Sequence, residues 1–138
     1  MALCSQIREK DYALYAIARS NKNNSELESI QAKIMLADAL DKKQVSEVLS
    51  TIDNQSIVVS LVGGQNAELA IRSDFPANKN IIDACEELGF SRFIFVNSIG
   101  AGESKPQLPE MLKPFLGPVA EEKQKQKMFL DLVISNTP

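Results

Sequence analysis

The sequence contains no histidine. That absence removes Ser-His-Asp and Cys-His catalysis. Only two cysteines are present, Cys4 and Cys85, far apart and without CxxC spacing. With so few thiols and no imidazole, a zinc site has no ligand set. Proton chemistry is left to tyrosine, lysine, carboxylates, a cofactor or water. Two scattered cysteines also fit a reduced, cytoplasmic compartment. No apolar run approaches the roughly 20 residues that span a bilayer. The first ten residues lack the apolar core of a signal peptide. Basic charge is not in excess either: 15 Lys and Arg stand against 18 Asp and Glu, for a net charge of −3 and a pI near 5.0. Phosphate-backbone binding usually needs a basic surface, so nucleic acid is not an expected partner.

What is present suits a globular protein. At 138 residues the chain is one domain, residues 1–138. Hydrophobic residues make up 44% and charged residues 24%, enough to bury a core and too apolar for disorder. Short apolar runs alternate with helical patterns. Residues 12–18, 33–37, 56–62 and 93–96 read as strands. The third run is continuous rather than alternating, which suits a parallel strand buried on both faces. Residues 19–24 form a polar loop. Asp41 is placed to cap a helix over 42–50, with Val45, Val48 and Leu49 on one face. A second helix over 78–88 carries Ile81, Ile82, Cys85 and Leu88 on one side, and Gly89 follows where a helix-ending glycine is expected. A proline-rich stretch comes next, with one helical turn within 108–115. A last helix covers about 119–134.

Strands separated by helices predict βαβ crossovers and a parallel sheet. In such sheets ligands sit beyond the carboxyl ends of the strands. That rule singles out Arg19, Asp38, Gly63-Gly64, the segment 98–100 and the last helix.

At those positions the sequence resembles a family. Ala37-Asp38-Ala39-Leu40-Asp41 resembles the G-D-x-x-D element of atypical short-chain dehydrogenase/reductases. Ala77-Asn78-Lys79-Asn80-Ile81-Ile82-Asp83-Ala84 resembles their G-N-K-N helix. Arg92-Phe93-Ile94-Phe95-Val96-Asn97-Ser98-Ile99-Gly100 resembles their R-F-x-x-V-S-S-I-G strand end. Leu116-Gly117-Pro118-Val119-Ala120-Glu121-Glu122-Lys123 is similar to the start of their active-site helix. Four collinear matches identify the chain as a member of the NmrA-like, NAD(P)-binding branch.

The resemblance implies an α/β fold: an incomplete, three-layer, Rossmann-like parallel sheet. It implies a dinucleotide partner and a small-molecule substrate. Arg19 falls where a basic residue meets the 2′-phosphate of NADP, with Ser20 beside it. A guanidinium suits that dianion, so NADP is expected over NAD. The alternative for Arg19 is a solvated surface arginine. Asp38 and Ala39 match the adenine-contacting pair, or Asp38 simply caps its loop. Leu61, Val62, Gly63 and Gly64 would line the cofactor, or the glycines merely end the strand. Ser98 matches the family's active-site serine, a catalytic residue that hydrogen-bonds substrate or nicotinamide, with Asn97 before it on the cofactor, or Ser98 is a capping or turn serine. Lys123 matches the lysine that holds the ribose, or it stands on a charged, solvated helix face.

Two departures from the family pattern shape the functional reading. The superfamily uses Tyr-x-x-x-Lys, whose spacing puts both side chains on one helix face. Here Val119 stands four residues before Lys123, and the chain's tyrosines are Tyr12 and Tyr15. The family also begins with a strand and a glycine-rich loop that cradles the pyrophosphate. This sequence has no GxGxxG, and residues 1–10 resemble the tail of the helix after that loop. The C-terminal residues 136–138 fall where the family continues into another strand. The chain thus reads as a member shortened at both ends. In the family order 3-2-1-4-5, the absent strand lies between the runs 12–18 and 56–62. Those two strands must close up, bind another chain or keep exposed edges. The expected function is NAD(P)H binding with oxidoreductase chemistry on a small molecule. The rivals are a non-catalytic NADP(H) redox sensor or assembly protein, and a fragment without ligand.

Overall fold

The computed structural model describes residues 2–22, 24–63, 74–96, 110–112, 121 and 123–125. The elements run α1 (Ala2–Glu9), β1 (Tyr15–Ala18), α2 (Ser25–Ser29), β2 (Lys33–Leu36), α3 (Lys42–Leu49), β3 (Ile57–Ser60), α4 (Asp74–Glu87) and β4 (Arg92–Phe95). A single 3-10 turn, Glu110–Leu112, follows within the expected helical segment. Of the expected last helix, Glu121 and residues 123–125 are described, and they are helical.

The strands form two parallel ribbons. β1 pairs with β2 from Tyr15↔Lys33 to Ala18↔Leu36. β3 pairs with β4 from Ile57↔Arg92 to Ser60↔Phe95. Among the described residues, β1 and β3 are not hydrogen-bonded to each other. Of the three expected outcomes, closing up of β1 on β3 is therefore not the one seen among the described residues. The architecture is an incomplete Rossmann-like α/β fold.

The core lies between α3 and α4. Val45 and Leu49 of α3 meet Ala84 and Cys85 of α4, and Val58 of β3 and Phe93 of β4 pack against them. Burying a leucine or valine fully is worth about 1.5–3 kcal/mol, so this cluster is the main apolar contribution. The i, i+4 spacing of Val45 and Leu49 puts both on one helix face.

Helix ends follow local chemistry. Asp41 caps α3 as expected, its carboxylate accepting from Lys43 and Gln44 N–H. The Gln44 N–H is the chief cause holding the Asp41 carboxyl below its ordinary value. Gly89 ends α4 at φ 74°, and Phe90 N–H closes back on Cys85 C=O at 2.9 Å. α4 starts at Asp74, four residues before the sequence pattern begins at 78. Pro76 falls in its first turn, where a missing amide hydrogen costs nothing. α2 was not expected. It is a single short turn whose N-cap, Asn24, makes no side-chain cap bond. Its signal in the sequence is correspondingly weak.

Candidate functional site

Each ribbon ends in loops that carry the candidate residues. Beyond β1, Arg19 is exposed and makes no hydrogen bond or ion pair among the described residues. Ser20 is also exposed. Its hydroxyl accepts from Lys22 N–H at 3.4 Å, and its carbonyl accepts from Asn24 Nδ2 at 2.9 Å.

Beyond β2, residues 38–41 form a tight turn. Asp41 N–H donates to Asp38 C=O at 2.9 Å. Leu40 N–H donates to Asp38 Oδ1 at 2.9 Å, the self-turn typical of aspartate. Asp38 N–H donates to Gln44 Oε1 at 3.0 Å. The loop-capping expectation for Asp38 therefore holds for one carboxylate oxygen. Ala39 C=O accepts from Asn80 Nδ2 of α4 at 3.0 Å. The Ala39 N–H has no partner among the described residues.

Beyond β3 and β4 the structure builds a polar knot. Lys123 is 6% exposed, so it does not stand on a solvated helix face. Its Nζ donates to Val62 C=O at 2.9 Å and to Val96 C=O at 3.4 Å. It also lies 4.7 Å from the centre of the Phe95 ring, within cation–π range. The ammonium thereby joins the carboxyl ends of two neighbouring parallel strands. Ser60, Asp74 and Asn78 are buried beside it. Ser60 Oγ bonds Asn78 Oδ1. Asn78 Nδ2 donates to Asp74 C=O at 2.8 Å and Val62 C=O at 3.3 Å. Buried polar groups are tolerated where they are hydrogen-bonded in this way. Leu61 is 60% exposed next to the knot. At Gly63, the one atom among the described residues that an added Cβ would meet is Asp74 Oδ1, at an ordinary 3.5 Å. Packing among the described residues therefore does not demand glycine there.

The structure thus brings Val62, Gly63 and Lys123 together and ties the Asp38–Ala39 turn to α4. Arg19 and Ser20 occupy a strand end of their own. Gly64, Asn97 and Ser98, like Val119, lie outside the described residues. Tyr15 opens β1, so its backbone is roughly 10 Å from the strand's carboxyl end. Neither Tyr15 nor the exposed Tyr12 takes the place of the family's tyrosine. Sequence reasoning gave no role to Ser60, Asp74, Asn78 and Asn80. The asparagines stood in a matched motif, but their partners are 16 to 41 residues away. An open depression lined by Ser5, Arg8, Glu9, Ser29, Ile30 and Gln31 lies away from all these groups.

Among the described residues no group of acidic, cysteine or histidine side chains could hold a metal ion. No described helix is long and apolar enough to cross a membrane.

A family model described as NAD(P)H-binding matches residues 1–131. No curated protein matches. Among solved structures, ChuY, an anaerobilin reductase from Escherichia coli O157:H7, is similar with a TM-score of 0.78 and 25% identity, over 93% of this chain and 60% of that one. ChuY from E. coli strain CFT073 gives a TM-score of 0.74 at 21% identity, over 94% and 59%, a likeness of fold alone. The chain spans about 60% of the length of these two structures. A family match over nearly every residue, on an incomplete Rossmann-like fold, places this chain in the NAD(P)H-binding, NmrA-like family.

Proposed function

We propose that this chain binds NADP(H) across the carboxyl ends of its strands and serves hydride transfer to a small-molecule acceptor. The observation that carries the reading is the burial of Lys123. A cation fixed at the ends of two parallel strands stands where dinucleotides sit in open α/β sheets. The nicotinamide, when bound, supplies the hydride.

The chain's own residues bind and orient. Asp38, through its second carboxylate oxygen, and the Ala39 N–H offer an acceptor and a donor to the adenine edge. Arg19, exposed and without a partner among the described residues, meets the 2′-phosphate, with Ser20 beside it. Leu61 offers an apolar surface to a flat ring. Val62, Gly63 and Gly64 let the cofactor lie against backbone, and Lys123 sets its charge beside the ribose. Asn97 and Ser98, next in sequence after Val96, are the residues assigned to the nicotinamide and substrate. With Val119 in place of the tyrosine, the proton comes from water. Residues 1–138 act as one NAD(P)-binding unit, and a nicotinamide cofactor with free thiols suits the cytoplasm. The similar E. coli structure puts anaerobilin among the acceptors to try.

One observation favours a second reading. Val119 removes the usual acid, which suits a redox sensor that binds NADP(H) without turnover. The edges of β1 and β3 also suit self-association, since strand edges without ladder partners recruit other strands.

Calorimetric titration of the purified chain with NADPH and NADH is the test. Saturable binding with NADPH preferred is expected. A folded chain that binds neither overturns the reading. Oxidation of NADPH by an added acceptor separates the reductase from the sensor, and sedimentation at high concentration tests association.

A further inference from the structure

We infer that Asn80 is a positioning residue for nucleotide binding, holding the Asp38–Ala39 turn in the form that meets the adenine. The inference rests on the dinucleotide reading above and adds to it a residue on a different element.

The turn is pinned mostly from within. Asp38 C=O, Asp38 Oδ1 and the Gln44 side chain satisfy the N–H groups of Asp41, Leu40 and Asp38. These bonds hold both peptides that flank Ala39, and one further bond reaches the turn from another element. The partner of the Ala39 carbonyl comes from α4, 41 residues away, as Asn80 Nδ2 at 3.0 Å. The Ala39 N–H shares a planar peptide with Asp38 C=O, which Asp41 N–H holds, so it moves with the turn, and the Asn80 bond seats the turn against α4. Among the described residues that N–H has no partner. A donor fixed in direction and left open is what the edge of an aromatic base requires.

Asn80 has no other evident reason to be asparagine. It lies inside a helix of 14 residues, where asparagine is a poorer helix former than alanine. The two helices do not depend on it to stay together. Val45 and Leu49 pack on Ala84 and Cys85, and Lys42 pairs with Glu87 at 2.7 Å. The Asn80 bond instead ends on the turn.

The test compares Asn80→Ala, Asn80→Gln and Lys42→Ala with the unaltered chain. Two half-ligands serve as probes, adenosine 2′,5′-bisphosphate and reduced nicotinamide mononucleotide, together with NADPH. Asn80→Ala should weaken the bisphosphate and NADPH by the same factor, about 3- to 10-fold for one neutral hydrogen bond. It should leave the mononucleotide unchanged and speed amide exchange at Leu40 and Asp41, whose N–H groups are bonded within the turn. Asn80→Gln, which keeps the donor, should recover part of the loss. Lys42→Ala loosens the helix pair without touching the turn, and should change neither half-ligand. Equal loss for both halves, or faster exchange with unchanged affinities, would overturn the proposal. An unaltered chain that binds neither half would overturn the dinucleotide reading itself, and the role of Asn80 with it.

Discussion

Lys123 donates to the carbonyl of Val62 at 2.9 Å, across 61 residues of sequence. The same ammonium reaches Val96 C=O at 3.4 Å. One side chain therefore laces the ends of β3 and β4, and it does so at a buried point. Lys123→Met keeps the stem and removes the donor. It should lower stability by about 1–3 kcal/mol, because a buried ammonium's charge-assisted bonds to two strand-end carbonyls are lost. The same variant should bind NADPH less tightly. Urea unfolding with an unchanged m-value, beside a calorimetric titration, checks both. A variant as stable as the parent would contradict the lacing.

Arg19 tests cofactor choice. Its guanidinium is exposed and has no partner among the described residues, so removing it should leave the fold alone. Arg19→Ala should weaken NADPH by about 10- to 150-fold, the range for a charge-assisted contact, and NADH far less. Equal losses for the two cofactors would sink the 2′-phosphate role.

Gly63 separates packing from binding. Among the described residues an added methyl group would meet only Asp74 Oδ1, at 3.5 Å. Gly63→Ala should therefore unfold within a degree or two of the parent, roughly the noise around a neutral surface change. If the cofactor lies against this backbone, affinity should still fall, by about tenfold for one poorly accommodated methyl. Unchanged affinity would move the cofactor away from the end of β3.

The two thiols should behave differently. Burial pushes the Cys85 thiol from near 9.0 up to about 11. A thiol that is raised and buried is a poor nucleophile, so iodoacetamide at pH 8 should label Cys4 and spare Cys85 until the chain unfolds. Cys85 holds its proton more tightly in the folded state. Its contribution is thus complete below pH 9 and is lost as pH rises through 9 to 11. Melting curves over that window should fall for the parent and be flatter for Cys85→Ala. Labelling of Cys85 at the same rate as Cys4 would contradict its burial.

Local chemistry was legible in the sequence. Asp41 caps α3 because its partners are two and three residues away. Gly89 ends α4 for the same kind of reason. The four strands were found in place, the first three trimmed by one to three residues at one or both ends and the fourth shifted one residue earlier. Pairing decides those ends, and pairing is not local. The parting of the ribbons was not legible: the family's strand order left β1 and β3 free to close up, bind another chain or keep open edges, and the pairing among the described residues decides against closing up. The site was legible as a list of strand ends but not as contacts. Nothing near Lys123 in sequence tells whether it faces solvent or lies beneath β3 and β4. Likewise Asn78 and Asn80 look like ordinary helix surface until the fold brings Ser60, Val62 and Ala39 to them.

The two ribbons are unequally supported, and this bears on how the chain comes apart. α1, α2, β1 and β2 contain no buried residue, while α3, α4 and β3 surround the apolar cluster. Local opening free energy follows buried contact, so the first 36 residues form a weakly held unit beside a firmer one. Melting of the bare chain should then be broad, with proteases cutting first in the early unit. A dinucleotide reaching from Arg19 and Asp38 to Gly63 would fasten the two. At a hundred times its dissociation constant, a bound ligand contributes about 2.7 kcal/mol. That is enough to merge two weak transitions into one, making the nucleotide a structural element of the protein as well as its reagent.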